Sequence, residues 1–338
     1  MHDYILFSFL VLFIFLFSWA FLKLNKKISH LLNLIDTPDK IRKIQSQGVP
    51  LTGGIYLYCV FFILFLFSKF FLNYDYNLIS IEQFYFITLI FFFGLADDKF
   101  DINANIKIIV LYTLFIAYLF FNKSYVLNNL YIKELNLLLN IMSISYFFTA
   151  LCLLIFLNAS NMFDGIDGQT GGYFLFLLLY LQHINGFNLF LFLFSISILV
   201  FLIFNFNQRW YLGDSGVYLI SFFISILIIN NYHLKNLCVE QIFLLMMVPG
   251  LDLIRLFFER IKKGRHPFSP DTKHFHHILL KKFNKKITLM ISLSLVVIPN
   301  ILAIYFDKFF LFIFITLIIY FYLIFLHIKG LQNGFKKF

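Results

Sequence analysis

The 338 residues carry 27 Lys and Arg against 17 Asp and Glu, a formal charge of +10, yet 61% are hydrophobic and only 13% are charged, with 51 Phe. A mean hydropathy of +0.86 excludes an ordinary soluble globule, which runs near half apolar and a quarter charged. Three scattered cysteines, Cys59, Cys152 and Cys238, exclude a disulfide framework and a cysteine-ligated zinc site of conventional spacing.

A membrane span needs about 20 mostly apolar residues to cross about 30 Å of hydrocarbon. In chain order, spans are predicted near 4–22, 51–72, 82–96, 106–121 and 137–157. Others follow near 171–184, 187–206, 215–231, 240–258, 287–306 and 308–328. Lipid cannot satisfy open strand edges, so the fold class expected is all-α, a polytopic integral membrane protein of about 11 transmembrane helices. Residues 4–22 lack the basic leader and small-residue cleavage pattern of a signal peptide, and Lys23, Lys26 and Lys27 follow them. They read as a retained first span with its N-terminus outside. No fixed-period repeat or long linker interrupts the run, so 1–338 reads as one transmembrane domain with inner loops near 23–50, 97–106, 158–171, 206–215 and 259–286.

With that parity, 22 Lys and Arg fall on the inner side and five (Lys69, Lys123, Lys133, Lys235 and Lys308) on the outer. The asymmetry predicts a periplasmic N-terminus and a cytoplasmic C-terminus. It accounts for the +10 charge without nucleic acid, and suits anionic lipid or a nucleotide. The same parity puts Asp97, Asp98, Asp101, Asp164, Asp167, Asp214, Asp252 and Asp271 on the cytoplasmic face, with His274, His276 and His277.

Four inner loops carry candidate chemistry. Gly94-Leu-Ala-Asp97-Asp98-Lys99 sets two adjacent carboxylates at a membrane boundary, which is costly unless a cation or proton offsets them. They read as a general base or metal-site carboxylate, or as a solvated helix-end pair. Next, Asn158, Asn161, Asp164 and Asp167 recur every third residue in a stretch that also holds Gly165, Gly168, Gly171 and Gly172. Oxygen ligands with few carboxylates suit Mg²⁺, although a plain Gly/Asp turn has the same composition. Trp210-Tyr211-Leu212-Gly213-Asp214-Ser215-Gly216 offers an acid at the start of a span and an aromatic that can stack on a base. It lacks the nucleophile-elbow pattern of serine hydrolases. In the longest loop, Arg265 precedes His274, His276 and His277. Arg, Lys and His together make a phosphate cradle, with a metal site or a solvated loop as alternatives. The first inner loop adds Lys43, and no Walker-type loop is present to bind ATP.

Four such loops in this order resemble the bacterial polyprenyl-phosphate N-acetylhexosamine-1-phosphate transferases, glycosyltransferase family 4, which includes the phospho-MurNAc-pentapeptide translocases. The likeness covers nearly the whole chain and is closest to the branch that uses UDP-GlcNAc. It implies that a UDP-N-acetyl sugar gives its sugar-1-phosphate to undecaprenyl phosphate, releasing UMP at the inner membrane. The product would begin a lipid-linked glycan such as O-antigen, common antigen, capsule or a teichoic-acid linkage. Carried over by position, Asp97 and Asp98 match the catalytic acid pair, with Asp164 in support. Asn161 and Asp214 match ligands of Mg²⁺ (or Mn²⁺), and Asp167 and Tyr211 match contacts to uracil. Arg265, His274, His276 and His277 match the loop at the sugar and pyrophosphate, with Lys43 and Lys107 as phosphate contacts. A homodimer is compatible with the family. Gln45 stands where many relatives have His, Gln169 where Leu is frequent, and Val217 where Ser is frequent. The rival readings are a transporter or lipid flippase, which would place its ionisable residues near mid-membrane, and a transferase of the sugar alone, which would release UDP.

Overall fold

The computed structural model describes residues 2–37, 47–70, 78–267 and 273–335, with side chains from 8 to 326 within those ranges. Twelve helices run through them: α1 (His2–Leu32), α2 (Gly53–Phe70), α3 (Ile81–Phe100), α4 (Ala104–Phe121), α5 (Ser145–Phe163), α6 (Gln169–Asn185), α7 (Leu189–Asn205), α8 (Gly213–His233), α9 (Val239–Lys262), α10 (Phe275–Leu280), α11 (Lys285–Phe306) and α12 (Phe309–Phe335). Two antiparallel ribbons accompany them, β1 (Ile35–Asp36) with β2 (Val49–Pro50) and β3 (Asn129–Ile132) with β4 (Leu137–Asn140).

Among the described residues, eight helices (α1, α2, α4, α5, α8, α9, α11 and α12) are long and apolar enough to cross a membrane. Helix α7 is as apolar but has 17 residues. Large apolar side chains such as Phe9, Trp19, Ile109, Phe147, Ile298 and Phe314 stand more than half exposed along these helices. A soluble surface would not carry so many, whereas lipid would. The chain is an all-α, multi-pass membrane protein.

The span expected over 137–157 needs correction. Residues 137–140 form β4, and α5 starts only at Ser145. The run is apolar on both sides of that boundary, so periodicity cannot separate strand from helix within it. Two asparagines do: Asn136 turns the ribbon at φ 48°, and the Asn140 side chain accepts the Met142 N–H at 3.0 Å. Other ends follow local rules. Ser80 and Gln83 form a capping box on α3, and Asn188 and Asn284 cap α7 and α11. Pro249 inside α9 has no N–H for the Leu245 carbonyl, and the Tyr173 hydroxyl donates to that oxygen at 3.1 Å instead.

The chain divides into two compact units, Met1–Ser124 with Phe174–Leu227, and Tyr125–Tyr173 with Ile228–Phe338. The first unit is held by rings. Phe61 meets Phe190, Phe194 and Phe223 edge-on, and fully buried Trp210 stacks on Tyr56 at 4.9 Å. The Trp210 indole N–H donates to the Phe201 carbonyl at 2.9 Å. In the second unit Leu244, Met247, Ala303, Phe309, Phe312 and Ile313 form an aliphatic and aromatic core between α9, α11 and α12.

Candidate active site

In the first unit, the end of α3 meets the beginning of α8 backbone to backbone. A Cβ on Gly94 would lie 2.7 Å from the Ser215 Cα, so only glycine permits the approach. Gly213 has φ +70°, and a Cβ there would come within 2.6 Å of Asp98 Oδ2. Asp98 therefore fits directly under the first turn of α8. Its two oxygens accept the N–H groups of Asp214 at 2.6 Å and Ser215 at 3.0 Å. These are amides that the helix itself cannot satisfy, at its positive end.

Asp97 takes a different set of partners. It is 2% exposed. Oδ1 receives the Ile102 N–H at 3.1 Å and Lys107 Nζ at 2.7 Å, and Oδ2 receives the Tyr218 hydroxyl at 2.9 Å. Lys107 also approaches Asp214 Oδ2 at 3.6 Å. Lys107 is thus shared by Asp97 and Asp214, and Asp214 lies within electrostatic reach of both Asp97 and Asp98. Lys107, expected as a phosphate contact, is held between Asp97 and Asp214. The Tyr211 backbone ties the residues before α8 to those before α2: its N–H donates to the Pro50 carbonyl at 2.8 Å, and its carbonyl accepts from Gly53 at 2.9 Å.

A divalent cation here would need oxygen ligands that are not already engaged. Among the described residues no three His, Cys, Asp or Glu converge as a metal cage. The oxygens of Asp97 and Asp98 are already taken by donors, whereas Asp214 keeps a quarter-exposed carboxylate beside Lys107. Such an arrangement fits a largely hydrated Mg²⁺ that leans on one carboxylate and on substrate phosphates.

In the second unit, the loop after α5 and the histidine cluster come together. The Asn161 carbonyl accepts the Asp164 N–H at 3.2 Å as α5 ends, and Asp164 is exposed. Gly168, at φ +84°, turns the chain into α6 in a conformation that glycine adopts without strain. Asp167 pairs with Lys285 at the start of α11. The His276 ring lies directly against Gly165, where a Cβ would come within 2.0 Å of it. His276 is 3% exposed. Its burial, with His277 and His274 as neighbours, holds the imidazole down at about 3, so this ring is neutral. His274 and His276 stack at 5.4 Å, nearly parallel at 8°. Arg265 follows the turn that ends α9, with its N–H on the Arg260 carbonyl at 2.9 Å.

Lys43 lies outside the described residues, as do Gln45 and Asp271. Several site residues were not singled out from sequence. Tyr218 stands one helical turn after Asp214, on the same face of α8, and that spacing is a usable signal. Asp252 and Arg255 form an i,i+3 ion pair at 2.6 Å, and an acid–base pair inside a span is itself a flag. Lys285 carries no such signal, because its partner is 118 positions away.

Asp97, Asp98, Asp214 and Lys107 form a polar cluster at a helix start inside a multi-pass α-helical protein. Residues 80–231 match the model of glycosyl transferase family 4. The chain is 26% identical over 282 residues to the undecaprenyl-phosphate alpha-N-acetylglucosaminyl 1-phosphate transferase of Escherichia coli K12, covering 79% of this chain and 75% of that one. Proteins of the same description from Yersinia pestis and Thermotoga maritima are each 27% identical, over 80% and 84% of this chain and 76% and 85% of theirs. These matches support the family resemblance drawn from the sequence. The matched segment contains Asp97, Asp98, Lys107, Asn161, Asp164, Asp167, Tyr211, Asp214 and Tyr218.

Proposed function

We propose that this protein transfers N-acetylhexosamine-1-phosphate from a UDP-sugar to undecaprenyl phosphate, releasing UMP at the cytoplasmic face of the membrane. The observation that carries the reading is the cluster of Asp97, Asp98, Asp214 and Lys107 at the start of α8, in a chain whose relatives are named undecaprenyl-phosphate alpha-N-acetylglucosaminyl 1-phosphate transferases. An oxygen of the lipid phosphate attacks the sugar-bearing phosphorus, the pyrophosphate bond breaks, and UMP departs. The acceptor's tail stays in lipid, so the reaction belongs at the membrane surface, and the product begins a lipid-linked surface glycan.

Asp98, Asp97 and Lys107 have tasks that their geometry supports. Asp98 locks the first turn of α8 and so sets where the Asp214 side chain projects. Asp97, tied to Tyr218, aims Lys107 between the carboxylates, where its ammonium can turn to an incoming phosphate. Mg²⁺ supported by Asp214 would screen the repulsion between the two phosphates and the charge on the leaving group. Asp167 and Tyr211 are assigned to the uracil, and Arg265 and the histidines to the sugar-bearing phosphates.

The test is direct. Membranes containing the protein are incubated with undecaprenyl phosphate, Mg²⁺ and candidate UDP-N-acetyl sugars, and the released nucleotide is identified. UMP is expected, abolished by EDTA and by Asp98→Asn or Asp214→Asn. UDP as the product, or no lipid-linked product with any UDP-sugar, would overturn the reading.

A further inference from the structure

Asp252 has no task in the reaction as described, yet four residues donate to its carboxylate. It is 4% exposed and sits in α9, where an unpaired charge would be costly. Its oxygens collect donors from four residues: Arg255 Nη2 at 2.6 Å, the Tyr320 hydroxyl at 3.1 Å, the Phe275 N–H at 3.1 Å from each oxygen, and His274 Nδ1 at 3.3 Å. Arg255 and Tyr320 belong to α9 and α12. His274 and Phe275 are the residues on which the histidine cluster begins.

Further contacts register the same junction. Arg255 Nη2 donates to the Lys273 carbonyl at 2.6 Å, Lys273 Nζ pairs with Glu259 at 2.8 Å, and the Phe275 ring packs on that of Tyr320 at 4.8 Å. Lys273, His274 and Phe275 are therefore each tied to α9. The next ring along, His276, rests on Gly165 between Asp164 and Ile166. One carboxylate thus fixes the junction from which α10 carries its histidines to the loop holding Asp164 and Asp167.

We propose that Asp252 is the positioning residue of the histidine cluster, orienting His274 through Nδ1 and anchoring the start of α10 through Phe275, for recognition of the phosphates of the sugar nucleotide. The proposal rests on the transfer reading above. With Nδ1 committed to the carboxylate, His274 addresses a substrate through Nε2, as a ring fixed by an acid partner does in other histidine sites. Asp252 and His274 then act as one unit, and removing either should forfeit the same contribution.

The experiment is a double-mutant cycle on the full-length protein, with both substrates varied. Asp252→Asn should lower kcat/KM for the UDP-sugar about 10- to 100-fold, the scale of a small misplacement in a site, and leave KM for undecaprenyl phosphate within about twofold of wild type. Adding Asp252→Asn to His274→Ala should cost no more than about threefold beyond His274→Ala alone, because coupled residues are not additive. Tyr320→Phe keeps the charge and removes one donor, and should give about a fivefold loss for the UDP-sugar, the value of one hydrogen bond. If Asp252→Asn does not fold, the cycle between Tyr320→Phe and His274→Ala is read by the same criterion. Independent, multiplying losses, equal changes in both KM values, or wild-type kinetics would overturn the proposal while the transfer reading stands. A wild-type protein that releases no UMP overturns that reading and this proposal with it.

Discussion

Asp98 shows how one side chain can be held by backbone geometry. Its two amide donors are the first N–H groups of α8, and the helix dipole favours an anion there by roughly 0.3–1 kcal/mol or more. Gly213 keeps the space open. Gly213→Ala would add strain of about 1–3 kcal/mol at a positive φ and set a methyl 2.6 Å from Asp98 Oδ2. The expected result is a loss of UMP release of at least about 100-fold, with the unfolding midpoint in detergent down by roughly 2–12 °C, at about 2–4 °C per kcal/mol. Near-normal activity would show that Asp98 does not set the geometry of α8. His276 makes a different residue-scale prediction. In the unfolded chain it takes up a proton near 6.5, and in the folded protein only near 3. Its contribution to stability is therefore complete above about 6.5 and is lost as pH falls toward 3. The drop in unfolding midpoint between pH 7 and pH 5 should be smaller in His276→Gln than in wild type, and equal drops would contradict the buried, neutral ring.

Among the elements, α9 illustrates how a break in one helix is repaired by another. Pro249 orphans the Leu245 carbonyl, and Tyr173 supplies the missing donor from α6. Tyr173→Phe should cost about 1–3 kcal/mol, the penalty for a buried carbonyl left unpaired, read as a lower unfolding midpoint with little change in KM. The proline is visible in the sequence, but the tyrosine that serves the orphaned carbonyl, 72 positions before Leu245, is not. Most helices were legible from apolar length because each such run must satisfy its own backbone in lipid. The hairpin at 129–140 was not, since Leu137, Leu138 and Leu139 are as suited to a span as to a ribbon. What decides between them is the left-handed turn at Asn136 and the hydrogen bond from Met142 to Asn140.

For the whole molecule, the testable quantity is orientation. Under the proposed topology, single cysteines replacing Lys133, Lys235 or Lys308, in a background lacking Cys59, Cys152 and Cys238, should react with an impermeant thiol reagent added to intact cells. Cysteines at Lys99, Lys262 or Lys282 should react only after permeabilisation. Labelling of both sets from one side would refute the cytoplasmic placement of the carboxylates.

The sequence by itself determined the membrane class, most of the helices, the one-sided distribution of basic residues and the family resemblance. These depend on apolar length, on charge counts and on motifs within short windows, all of which the chain states locally. It also marked the acids, amides and histidines that compose the candidate site. Only the tertiary structure decided their partners. Asp98 and the start of α8 are 116 positions apart, Asp97 and Tyr218 are 121 apart, and Asp252 draws on Tyr320 from 68 positions away. Such pairings come from close packing of helices, where a missing Cβ at Gly94 or Gly165 sets which backbone or ring can approach, and no local pattern records which neighbour will be there. So two adjacent aspartates that read as equivalent in sequence became distinct in the fold, Asp98 bound to the helix start and Asp97 to a tyrosine and a lysine.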